Sequence, residues 1–157
     1  MYQQGDRIVY PLYGAGVIAD LESKEIDGEF QMYYVLNIPV GNLKIMISAA
    51  KAESLNVRLV HSKDDLLATL NQTIGKTLDM SDNWNQRYKE NMERIRSGEL
   101  SQVALVFYSL LLREREKGLS TAEKKMMTNT KQIILSEIIL SADIDRTEAE
   151  EVLDNVF

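Results

Sequence analysis

Apolar and polar residues alternate with period two from Asp6 to about Ser48, then recur at spacings of three and four from about Ser62 onward. A strand sends successive side chains to opposite faces, whereas a helix returns to one side every three or four residues, so the change divides the chain into a β part and a helical part. Leu43, Ile45 and Ile47 fall on one face of a strand, Lys44 and Met46 on the other. Phe30 to Ile38 is rich in aromatic and β-branched residues. It lies between Asp27-Gly28 and Gly41-Asn42, pairs that tolerate the positive φ of hairpin turns. Pro11 cannot donate to a ladder, and with Gly14 and Gly16 it predicts a sharp bend after the first strand. The expected β part is a small, strongly bent antiparallel sheet or partial barrel.

Beyond Ser62 the spacing predicts five helices. Leu66, Leu67 and Leu70 mark a short one; Trp84 to Ile95 forms a second, with Ser81, Asp82 or Asn83 as N-cap and Ser97-Gly98 as its stop. Leu100 to Lys117 is a strongly apolar third, ended by Gly118. Ser120-Thr121-Ala122-Glu123 is a capping box opening a fourth through Met127, Ile133, Ile134 and Ile138. The last starts near Arg146 and uses Ala149, Val152, Leu153 and Val156. The expected class is α+β: an antiparallel β domain over 1–56, a linker over 57–61 and a compact all-α domain over 62–157.

A chain of 157 residues can bury one good core or two small ones, and its hydrophobic fraction of 45% with 27% charged residues is that of an ordinary folded protein. The absence of cysteine removes disulfides, thiolate metal sites and thiol nucleophiles together. With no signal-peptide pattern and no long apolar run, a cytoplasmic protein without a membrane partner is expected. A net charge of -6 argues against nonspecific coating of DNA, which depends on releasing counterions from many phosphates. Basic residues nevertheless concentrate between Trp84 and Lys125, interleaved with glutamates, whereas the segment from Glu137 onward is acidic. A local basic face and a solvated mixed surface both fit that distribution.

Gly14-Ala15-Gly16-Val17-Ile18-Ala19 matches a dinucleotide-binding pattern, which works only where a helix follows the turn. Here Val17, Ile18 and Leu21 read as strand, so a bent β turn is the better reading. His61 is the lone histidine and falls in the expected linker, where it reads as a solvated residue. The carboxylates at Asp64-Asp65, Glu148 and Glu150-Glu151 sit where helix starts favour negative charge. No catalytic constellation, metal site, cofactor or small-molecule substrate is expected.

Trp84 is the single tryptophan, and it stands among Asn83, Arg87 and Lys89. Helical spacing puts Trp84, Arg87, Tyr88 and Asn91 along one side, with Met92 and Ile95 toward a core face. Two readings follow: an indole packed between helices, or an apolar wedge against the DNA minor groove with nearby cations on phosphate. Lys24, and Lys44 with Met46, belong to the outward side of the β part; that side is either a wet face or a docking site for a partner's strand.

The order and spacing of Gly5-Asp6, Val9-Tyr10-Pro11, Tyr13-Gly14-Ala15-Gly16, Tyr33-Tyr34-Val35-Leu36, Asn83-Trp84, Arg87-Tyr88-Lys89, Ser97-Gly98, Gly118-Leu119-Ser120 and Glu123-Lys124 resemble the CarD/CdnL family of bacterial transcription regulators. The resemblance implies a Tudor-like β domain that docks on the RNA polymerase β subunit, and a helical domain that contacts promoter DNA at the upstream edge of the melted bubble. It gives Trp84 the role of minor-groove wedge and places Arg87, Lys89 and Lys124 on the DNA backbone. Lys24, Lys44 and Met46 are carried over to the polymerase contact. Met46 and Gln86 stand where relatives carry basic residues. The implied protein is a monomeric, non-enzymatic regulator that stabilises the open promoter complex and joins the nucleoid through polymerase. The alternative is an adaptor docked on polymerase or a repair translocase, whose helical domain recruits another protein.

Overall fold

The computed structural model describes residues 1–76 and 78–157. Among these, strands β1 (Arg7–Tyr10), β2 (Gly14–Ile26), β3 (Glu29–Ile38), β4 (Leu43–Ser48) and β5 (Arg58–Leu59) precede helices α1 (Lys63–Thr73), α2 (Trp84–Arg96), α3 (Leu100–Glu116), α4 (Thr121–Ala142) and α5 (Arg146–Val156). All neighbouring strands run antiparallel, in the order β4-β3-β2-β1-β5. This is the α+β arrangement that the change of period predicts.

Asp27 and Gly28 turn β2 into β3 with φ of 53° and 80°, and Gly41 and Asn42 serve the next turn with φ of 80° and 53°. A register irregularity between Ile18 and Asp20 bends β2. One face of the bent sheet packs Ile8, Ile18, Tyr34, Leu36 and Ile47, with Ala52 and Val57 from the segment after β4. Strand β2 also meets α4, where the Ala15 N–H donates to Ser136 Oγ at 2.8 Å. Gly14 makes this approach possible, and Gly16 lets β2 lie close against β3. A Cβ on Gly14 would lie 2.8 Å from Ser136 Oγ, and one on Gly16 would lie 2.5 Å from the Asn37 carbonyl oxygen. The glycine pattern therefore serves strand and helix packing, since β2 rather than a helix follows it.

In the helical half, α3 lies at the centre and buries Leu100, Val103, Ala104, Val106, Phe107 and Leu110 against Ile133, Ile134, Leu135 and Ile138 of α4. Each fully buried aliphatic side chain contributes about 1.5–3 kcal/mol. Ser62, Asn83, Ser120 and Asp145 cap α1, α2, α4 and α5 through their side chains, and the capping box at Ser120 and Glu123 is complete.

Residues 57–61 were expected as a linker, yet they carry β5, which pairs with β1 through Ile8↔Leu59 and Val9↔Arg58. Nor is His61 merely solvated. Arg58 donates to both carboxylate oxygens of Glu137 at 2.7 and 2.8 Å, the His61 N–H donates to Glu137 Oε2 at 3.0 Å, and Ser141 Oγ donates to the His61 carbonyl at 2.8 Å. The cause is Glu137 itself: a carboxylate whose side chain is 1% exposed requires a cation and donors. Burial pushes its pKa up, but the hydrogen bonds and charge of Arg58, with the His61 bonds, outweigh that and hold it below the usual range. Arg7 reinforces the join through Asp143 at 2.8 Å and the Leu140 carbonyl, and Asn56 Nδ2 donates to the Arg96 carbonyl at 2.9 Å. Helix α4 thus belongs to both halves, closing one core and bracing the other.

Candidate nucleic-acid and polymerase interfaces

Trp84 is the first residue of α2. Asn83 Oδ1 accepts from the N–H groups of Asn85 and Gln86 at 3.0 and 3.3 Å, so these two donors of the first turn are satisfied without help from the indole. Trp84 stands 50% exposed and is not buried between helices. Lys89 and Lys124 are also exposed, and neither takes part in an ion pair among the described residues.

Arg87 departs from the expectation. It is 4% exposed, and the side of α2 running through Arg87, Asn91 and Ile95 is the buried one rather than the outward one. Its Nε and NH2 groups donate to Glu123 at 2.6 and 2.7 Å, and NH1 donates to the carbonyls of Ser81 and Asp82 at 3.0 and 3.2 Å. A guanidinium has five N–H donors, so little is left for a phosphate. The hydrogen bond to Glu123 raises the Arg87 pKa, and reciprocally the hydrogen bond from Arg87 holds the Glu123 carboxyl below its usual range against the effect of burial. The capping box was legible, but the second partner of Glu123 lies 36 residues away.

Lys124 follows Glu123 and lines a shallow groove with Thr121, Lys125, Thr128, Asn129 and Gln132. Two cations, two hydroxyls and two amides line this groove without a carboxylate, although the whole chain is acidic. Such a surface offers donors to an anionic backbone. Lys125, Thr128, Asn129 and Gln132 carry no signal as a set in the sequence, because the apolar positions of α4 dominate its pattern.

On the β half, Lys24 pairs with Gln31, Lys44 with Asn37 and Met46 with Val35. Gln31, Val35 and Asn37 alternate along β3, so the pleat puts Lys24, Lys44 and Met46 on one face, opposite Leu36, Ile38 and Ile47. Lys24 and Lys44 are exposed, Met46 is half-buried, and Lys24 Nζ sits 5.9 Å from the centroid of the Tyr33 ring. β4 forms an edge of the sheet.

The exposed cations Lys24 and Lys44 on the sheet and the half-exposed Trp84 at the start of α2 lie on elements that are both tied to α4, through Ala15 and Ser136 on one side and through Arg87 and Glu123 on the other. The chain belongs to the CarD family: residues 65–154 match the CarD C-terminal domain and residues 2–60 match the CarD-like/TRCF RID domain. It is also 39% identical over 141 residues, 88% of this chain and 90% of the relative, to the Bacillus subtilis (strain 168) protein named "Putative transcription factor YdeB".

Proposed function

We propose that the protein is a non-enzymatic transcription regulator that holds RNA polymerase through its β half and stabilises the open promoter complex through Trp84. On this reading the sheet face with Lys24, Lys44 and Met46 docks on the polymerase β subunit. The indole enters the distorted minor groove at the upstream edge of the bubble, and Lys89 and Lys124 meet the flanking phosphates. The observation that carries the reading is the half-exposed indole at the first turn of α2, supported by the family assignment.

The mechanism is differential binding. A wedge that fits partly unstacked DNA better than closed duplex shifts the equilibrium toward the open state by that difference alone. A preference of about 1.4 kcal/mol corresponds to a tenfold shift. The acidic net charge of -6 accords with this scheme, because binding to polymerase raises the local concentration of the helical half near DNA and replaces independent DNA affinity. Trp84→Ala is expected to leave folding and polymerase binding intact while shortening the open-complex lifetime about tenfold. Equal lifetimes for variant and parent in a competitor-challenge assay would remove the wedge.

A further inference from the structure

Two helix starts that matter to this reading, those of α2 and α4, are tied together by one buried ion pair. Arg87 grips both oxygens of Glu123, and its remaining terminal nitrogen reaches back to the carbonyls of Ser81 and Asp82. Those two residues precede Asn83, the cap of α2, and Trp84 comes next. On the other side, Glu123 Oε1 accepts from the Ser120 backbone N–H at 3.5 Å, which completes the capping box of α4, and also from Ser120 Oγ at 3.0 Å. Lys124 and Lys125 follow directly in sequence and line the carboxylate-free groove.

A buried ion pair is a poor device for stability alone, because desolvation offsets most of its Coulombic gain and apolar residues of similar volume often serve as well. What an apolar pair lacks is direction. The rigid fork of an arginine holds the carboxylate by two directed bonds at 2.6 and 2.7 Å while its third nitrogen holds the two carbonyls at 3.0 and 3.2 Å. We propose that Arg87 and Glu123 are a positioning pair: they hold the Trp84 end of α2 in register with the cations at the start of α4, and Arg87 itself touches no DNA. The inference rests on the reading that Trp84 engages DNA. The raised pKa of Arg87 and lowered pKa of Glu123 keep the pair charged across the neutral range.

The test is Glu123→Gln, which keeps an amide oxygen for the capping box and removes the charge that holds Arg87. If Arg87 were a phosphate ligand, deleting a neighbouring carboxylate would strengthen DNA engagement and lengthen the open complex. The positioning role predicts the opposite, a lifetime shortened about tenfold. Fluorescence anisotropy of the single tryptophan should also fall in the free protein. A second variant, Arg87→Met with Glu123→Leu, fills the space without the directional bonds; it should melt within a few degrees of the parent yet lose lifetime to the same extent. Should that pair not fold, Glu123→Gln decides alone. A lifetime equal to or longer than the parent's in Glu123→Gln, where Trp84→Ala does shorten it, overturns the positioning role. If Trp84→Ala has no effect, the wedge reading fails instead. The anisotropy of Glu123→Gln then decides whether the pair orders the indole, with a fall supporting it and no change overturning it.

Discussion

At the scale of single residues, charge matters through where the backbone puts it. Lys24 lies on the open sheet face with its ammonium 5.9 Å from the Tyr33 ring centroid, a placement worth about 0.5–1 kcal/mol at an exposed site. Its extended position suits recognition of an acidic partner surface. Reversing the charge as Lys24→Glu should weaken binding to polymerase about tenfold, chiefly through slower association and an altered salt dependence. An unchanged dissociation constant would remove Lys24 from the interface. Arg87 shows the converse. Composition and helical spacing mark it as a basic residue beside an indole, and only the fold brings Glu123 against it. Trp84 and its cap Asn83 were legible because a cap and a first turn are local features. The burial of Arg87 was not, since periodicity locates a residue on a helix without saying what lies opposite.

At the scale of elements, period and punctuation carried most of the fold. The change from two to three-and-four spacing separated sheet from helices, and Asn83, Ser120, Gly98 and Gly118 marked helix ends. The failures were short or tertiary. β5 spans two residues, too few to show any alternation, so its segment read as a linker. The link among Arg58, His61 and Glu137 joins residues 76 to 79 positions apart and left no local pattern. That link also has a pH signature. The Glu137 pKa is lower in the folded protein, so its stabilisation is fully present above the ordinary value of 4.5 and is lost as pH falls through the folded value. Glu137→Gln should therefore cost up to about 3 kcal/mol at neutral pH, the low end for orphaning a buried charge because Arg58 keeps some solvent. The difference in melting temperature between variant and parent should shrink as the solution is acidified below the usual carboxylate range. Parallel melting curves across that range would assign the stability to other groups.

At the scale of the whole molecule, α4 makes one unit of two modules. Through Ser136 and Glu137 it braces the sheet and β5, and through Glu123 it braces the start of α2. On the proposed reading, the sheet surface with Lys24 and Lys44 and the displayed indole are thereby held on a common support, which lets an acidic protein act on DNA once docked. Replacing Trp84 by a photoreactive benzoylphenylalanine and irradiating the polymerase–promoter complex addresses this most directly. Adducts are expected on promoter DNA at the upstream edge of the bubble, dependent on promoter melting and on polymerase. Adducts confined to polypeptide, with none on DNA, would contradict it.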